Sequence, residues 1–159
     1  VGGADSWLVT DKLKEENIAL LVRRIHSKLR SQDADVDLPY KLPKLLSDAG
    51  MLFCLENSGD MEAAGTRNLP FYAGTCAAYG LSKEEALMAI TYNTAKILGI
   101  EKSVGSLVVD LDATLIVSSG DALDMKSNDI QMAYVRGKLI DLDNHQKKLY
   151  RKFKNKYEK

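Results

Sequence analysis

Between Leu81 and Val117 the spacing of apolar positions changes twice. It runs from helical to helical again after a polar interruption, then to strand-like. Ser82 followed by Glu85 is a capping box: the hydroxyl accepts a first-turn N–H and the carboxylate reaches back to the cap. Leu87 and Ile90 share a helical face, with Ile97 and Leu98 two turns on. Thr91 and Asn93 compete for backbone hydrogen bonds, which predicts a break and a restart, not one rod. Gly99 supplies a left-handed cap for the second helix. After Gly105 the pattern turns β-branched and aliphatic. Leu107, Val108 and Val109, then Leu115, Ile116 and Val117, read as two short strands.

Upstream, helices alternate with strands, which predicts a parallel sheet. Residues 6–16 read as an amphipathic helix with Trp7, Leu8 and Leu13 inward, ended by Asn17. Residues 18–25 are an apolar run of strand length, and His26 follows at the C-terminal end. The acidic stretch with Asp33, Asp35 and Asp37 lacks the glycine and closing glutamate of a calcium loop, so it reads as a solvated loop. Pro39 and Pro43 frame a short helix over residues 44–49, Gly50 ends it, and residues 51–55 form the next strand. Residues 67–80 read as a helix begun through Asn68 and Pro70. Its small residues Ala73, Gly74, Ala77 and Ala78 would allow close packing on the sheet. Arg136-Gly137 between two short strands signals a hairpin. Residues 143–159 form a basic amphipathic helix with Leu149, Tyr150, Phe153 and Tyr157 on one face. The leading expectation packs this aromatic stripe on the domain; docking on nucleic acid or an anionic surface is the second.

Composition narrows the picture. Twenty-two Lys and Arg balance 22 Asp and Glu in 159 residues, which argues against the whole domain binding nucleic acid. No apolar run is long enough to span a bilayer, and no signal-peptide pattern is present. Neither nucleic acid nor membrane is expected as a partner, and the residues name no compartment. Cys54 and Cys76 fall in a strand and a helix without a CxxC, so both read as buried thiols. No phosphate-cradling glycine loop, zinc-ribbon spacing or Ser/His/Asp arrangement appears.

The order T-x-N-x-A-x-x-L-G, then G-S-L, then D-A-x-L-I-V is carried by Thr91, Asn93, Ala95, Leu98, Gly99, Gly105, Ser106, Leu107, Asp112, Ala113, Leu115, Ile116 and Val117. It resembles the closing segment of metal-dependent amidohydrolases. Arg67 to Phe71, Ala73 to Thr75 and Ala78 to Leu81 resemble the helix after the last barrel strand of the imidazolonepropionase-like branch. Asp110 stands where that pattern usually has Gly, and Thr114 where it has Asp.

The resemblance implies an α/β fold: the C-terminal part of a TIM (β/α)8 barrel, its last two or three βα units. Strands of a small amidohydrolase-type β-sheet domain and a C-terminal helix would follow. Residues 1–102 would be barrel segment, 103–142 the small composite sheet and 143–159 the helix. Such barrels run to about 250 residues or more, so the chain is expected to be the last part of a longer protein. The implied activity of that parent is hydrolysis of a C–N bond, in an amide or cyclic amide, by water activated on one or two divalent metals, zinc first among them. This chain has no H-x-H, and Gly2-Gly3 stands where a metal-binding His would fall. The metal-binding Asp of the last strand aligns with Asn57, which cannot act as a base. Asn57 and Asp60 are therefore the catalytic candidates, and His26, Glu56 and Arg67 the substrate-binding ones. No metal ligand is assigned, and no cofactor is expected for this chain alone. The expected partners are a small-molecule substrate of the parent, the missing N-terminal part of the same chain and, through unpaired strand edges, a second copy. The alternative is a metal-free, non-catalytic binding or scaffold protein derived from the same barrel.

Overall fold

The apolar runs before His26 and Asn57 become neighbouring parallel strands. The computed structural model describes residues 3–23, 25–28, 33–59 and 62–158. Strands β1 (Leu20–Arg23) and β2 (Phe53–Glu56) pair in parallel, Leu20 opposite Phe53 and Arg23 opposite Glu56. Helix α2 (Leu38–Asp48) makes the connection between them. Leu20, Val22, Ile25, Phe53 and Leu55 enter one core with Leu42 and Leu46 of α2. Helices α3 (Leu69–Ala78), α4 (Lys83–Met88) and α5 (Tyr92–Leu98) complete this body, adding Ala73, Cys76 and Ala86, with Ala89 just beyond α4. The α4–α5 junction closes the far edge of β2. Leu55 N–H donates to Ala89 O at 2.9 Å, and Asn93 Nδ2 donates to Phe53 O at 3.0 Å. An amide side chain thus occupies an edge that would otherwise stay open to pairing.

Local chemistry sets the helix ends as the residues predict. Ser82 accepts from Glu85 N–H while the Glu85 carboxylate accepts from Ser82 N–H, so both halves of the capping box form. Gly99 caps α5 at φ 71°. Asn68 takes the cap position of α3 without a side-chain cap bond.

Elsewhere the pattern misleads. Residues 6–16 are not one helix: a 3-10 turn, Ser6–Leu8, precedes α1 (Thr10–Glu15). Trp7 and Leu8 are exposed, and Leu13 alone of the three packs against the core. Helix α2 begins six residues earlier than predicted, with Pro39 in its first turn and Pro43 buried inside it. Leu87 and Leu98 point outward, because the small residues Ala86, Ala89 and Ala95 form the buried face. Asp35 and Asp37 both pair with Lys41, a structural use of the acidic stretch. Leu107 and Val109 are 84% and 85% exposed and form no strand.

Strands β3 (Leu115–Ser118), β4 (Ile130–Val135) and β5 (Lys138–Leu139) make a separate antiparallel sheet in that order. Arg136 and Gly137 turn the β4–β5 hairpin with φ of 50° and 74°, the two left-handed residues such a tight turn needs. The 119–129 connection reaches back to the helices: Asp121 pairs with Lys83 at 2.6 Å and Leu123 sits in the core. Gly74 meets this connection and not the sheet: a Cβ there would lie 2.1 Å from Leu123 O. Helix α6 (His145–Tyr157), capped by Asn144 accepting from Lys147 N–H, buries none of its residues. Its aromatic stripe is exposed and does not pack on the domain among the described residues, contrary to the leading expectation.

Candidate functional site

At the C-terminal ends of β1 and β2 the sequence places one base, one carboxylate and one amide. Each meets a different fate. Register puts Glu56 beside Arg23, with Oε1 3.3 Å from Arg23 Nε, an ion pair without hydrogen-bond alignment. Its Oε2 accepts from Ser58 N–H at 2.6 Å, and Arg23 Nη2 donates to Ser58 O. Glu56 is thereby neutralised and committed to shaping the turn after β2.

His26 follows β1 and is tied to α3. Its Nε2 lies 2.8 Å from Thr75 Oγ1, and the Thr75 hydroxyl donates to Phe71 O at 3.0 Å. The single hydroxyl proton is spent on that carbonyl, so His26 Nε2–H is the donor and Nδ1 is left as the ring's acceptor. Burial lowers the His26 pKa, which favours this neutral form. The ring stands edge-on to Tyr72 at 4.7 Å and to Tyr40 at 5.9 Å, and Tyr40 stacks on Tyr79 at 5.0 Å. Gly65 lies close to both Tyr72 and Asn57. A Cβ built on Gly65 would lie 3.4 Å from Asn57 Nδ2 and 3.8 Å from Tyr72 Oη. His26 and Asn57 thus stand at the same end of the sheet, with Tyr72 against His26 and Gly65 close to both Tyr72 and Asn57.

The other predicted site residues fare differently. Asp60 lies outside the described residues, as does Gly2. Arg67 is exposed at the end of the 3-10 stretch Glu62–Asn68. Sequence reading missed Arg23, Tyr72, Thr75 and Tyr79. The spacing of Tyr72, Thr75 and Tyr79 marks one helical face and could have revealed them.

Among the described residues no group of three or more His, Cys, Asp and Glu side chains could hold a metal ion. The donors at the strand ends are one imidazole, an amide and a carboxylate already paired with Arg23. The residues described here do not fit a metal by themselves, and no chemical step is routed through one. Cys54 and Cys76 are free and buried, and burial pushes the Cys76 thiol up to about 12. An open hollow of about 550 Å³ lies elsewhere, lined by Gly3, Ser6, Leu8, Leu13 and Leu20 near the start of β1. It includes none of the candidate residues.

Against this geometry, similarity to known proteins is consistent. The sequence matches the amidohydrolase family over residues 8–140. Over 38 residues it is 58% identical to the imidazolonepropionase of Shewanella sp. (strain ANA-3), a match covering 24% of this chain and 9% of that protein. An amidohydrolase from Thermotoga maritima MSB8 superposes with a TM-score of 0.71 at 29% identity, covering 87% of this chain and 35% of that one. A prolidase solved with N-methylphosphonate-L-proline shares the fold at a TM-score of 0.58 and 19% identity, over 85% of this chain and 38% of that one. The chain thus spans little more than a third of the length of these solved relatives. With a family match across most of its residues and a parallel βαβ unit carrying His26 and Asn57 at its C-terminal end, the chain belongs to the amidohydrolase family and resembles its imidazolonepropionase-like members.

Proposed function

We propose that this chain is the C-terminal part of a hydrolase that cleaves a C–N bond, in an amide or cyclic amide, with metal-activated water. The observation that supports it most is the family match over residues 8–140, joined to a parallel strand pair that carries His26 and Asn57 at its C-terminal end. In this reading β1, α2, β2 and α3 are the last units of a (β/α)8 barrel, and β3 to β5 belong to a small composite sheet. A divalent metal, when bound, would supply hydroxide at neutral pH. Its ligands would come mostly from the N-terminal part of the same protein.

This chain's own residues would bind and orient. Neutral His26 offers Nδ1 as an acceptor for a substrate N–H. Asn57 offers an amide, which can polarise or position a carbonyl but cannot take a proton. Family membership weighs for a hydrolase parent over a metal-free scaffold. The 159-residue chain alone is proposed to be inactive, to bind no substrate tightly and to self-associate through the edge of β1 that β2 does not cover.

The test is to purify the natural full-length protein, measure bound metal and assay a panel of linear and cyclic amides. Hydrolysis that is reduced in kcat/KM by His26→Ala and Asn57→Ala supports the reading. A metal-reconstituted full-length protein that cleaves no C–N bond would overturn it. Turnover by the isolated chain would overturn the inactivity proposal.

A further inference from the structure

Helix α6 has features that neither the fold nor the family accounts for. The family match ends at residue 140 and α6 begins at His145. At about 100° per residue, Leu149, Tyr150, Phe153 and Tyr157 occupy an arc about 100° wide. All four are exposed, from 38% at Leu149 to 73% at Tyr157. The helix carries Lys147, Lys148, Arg151, Lys152, Lys154 and Lys156 and no carboxylate. Lys147 and Lys154 border one side of the aromatic arc, and Lys152 and Lys156 the other. Three ammonium groups lie 5.2–6.0 Å from the ring centroids of Tyr157, Tyr150 and Phe153, so rings and cations stand at one level. Arg151 is neutralised by Asp143 at 2.6 Å and Lys154 approaches Glu158 at 3.7 Å, which leaves the bordering Lys147, Lys152 and Lys156 without a carboxylate in the helix.

We propose that α6 is an interfacial helix that lies on an anionic phospholipid surface, its aromatic arc at the headgroup boundary. A basic polar face opposite a narrow apolar face is the arrangement that lies in a membrane plane without crossing it. Five of the six cations are lysines, which are depleted at protein–protein interfaces and suit a diffuse anionic surface. Long lysine stems can lie along the apolar boundary while their ammonium groups reach phosphates. The contiguous apolar arc favours lipid over nucleic acid, whose backbone needs no such arc. Charge distribution orients the molecule: with six cations on α6, the remainder holds 16 basic against 22 acidic residues, so the helix faces an anionic surface and the body turns away. The proposal departs from the expectation of no membrane partner, which rested on the lack of a bilayer-spanning apolar run. No helix among the described residues is long and apolar enough to span the bilayer, so the contact is peripheral.

The experiment is vesicle co-sedimentation of the whole chain. Phosphatidylcholine vesicles are compared with vesicles holding about 30% phosphatidylserine, since each cation near an anionic leaflet adds about fivefold in affinity. Binding at least tenfold tighter to the anionic vesicles is expected, falling at least tenfold when salt rises to about 0.5 M. Lys152→Glu with Lys156→Glu should lower it at least tenfold, and Phe153→Ser with Tyr157→Ser should lower it with the charge intact. Removing residues 143–159 should abolish binding and leave the melting transition in place, because no residue of α6 belongs to the core. Equal binding to both vesicle types, or binding that survives the truncation, overturns the proposal. So does retention of a single-stranded oligonucleotide, or α6-dependent dimerisation in sedimentation, with no vesicle binding.

Discussion

Replacing Gly74 by alanine should destabilise the chain, although alanine is the better helix former. The position lies inside α3, where Gly→Ala ordinarily gains about 1 kcal/mol. Here the added methyl would stand 2.1 Å from Leu123 O, 3.1 Å from its carbonyl carbon and 3.5 Å from its Cβ. Ordinary contact requires the 119–129 connection to retreat by about 1 Å or more, a gap that forfeits a large part of the packing attraction around it. Leu123, 8% exposed, is the side chain this movement withdraws from the core. Full burial of a leucine is worth about 1.5–3 kcal/mol, and the solvent-screened Lys83–Asp121 pair adds little to it. Set against the helix gain, the net loss is about 0.5–2 kcal/mol. Urea unfolding followed by far-UV circular dichroism, with the slope unchanged, reads it directly. The cause is checked by repeating Gly74→Ala in a Leu123→Ala background. The backbone clash remains with alanine at 123, but less side chain is left to unseat, so the substitution should cost less there than in the parent, a non-additivity expected of groups in contact. A Gly74→Ala chain at least as stable as the parent would refute the reasoning.

Other expectations concern single groups. The Ser82 and Ser47 hydroxyls and the Ser82 N–H hold the Glu85 carboxyl at about 2, below its unfolded value. Its contribution is therefore present above about pH 4.5 and is lost as pH falls towards 2, where the unfolded state binds the extra proton. Glu85→Gln should flatten that part of the stability–pH curve in denaturant titrations, and Ser82→Ala should cost about 1 kcal/mol at neutral pH. Asp110 has φ 74°, so Asp110→Gly should stabilise the turn by up to about 1 kcal/mol, read as a higher melting temperature. Cys54 and Cys76 should resist a thiol reagent such as DTNB in the native chain and both react after unfolding, because burial raises both thiols. Fast native labelling of either would contradict the described core.

What the sequence made legible is what neighbouring residues decide between themselves. The Ser82–Glu85 box, the Gly99 cap and the Arg136-Gly137 turn each rest on chemistry within four residues, and each forms. The βαβ alternation was legible because apolar runs of strand length flank α2. Leu107, Val108 and Val109 show the opposite case. Their composition favours a strand, but a strand is completed by its partner, and no described residues pair with them. Trp7 and Leu8 likewise read as one periodic helical face, but the chain makes a 3-10 turn there and leaves both side chains exposed. At the site, Glu56 and Asn57 were legible from the end of the apolar run. The pairing of Glu56 with Arg23 required the register, and the Thr75 anchor of His26 required the packing of α3.

The same distinction explains Asp110 and Gly74, which sequence reading treated as minor. Asp110 departs from the family pattern by replacing Gly, and its positive φ shows why Gly is the usual residue there. Gly74 was read as a small residue for sheet packing; its use is to admit the Leu123 carbonyl against α3. Both positions concern the backbone, and a pattern of apolar and polar side chains carries no direct record of backbone approach. Leu123 in turn joins the core that holds Ala73 and Cys76 of α3. Thr75, between them, bonds His26. A single helix therefore seats the connection from the small sheet on one side and orients the candidate substrate-binding imidazole on another. If that coupling is mechanical, Gly74→Ala should change the His26 titration as well as stability. NMR titration of the His26 ring is the measurement: a midpoint returned towards 6.5 in the variant would show α3 shifted at Thr75, and an unchanged midpoint would confine the damage to the connection.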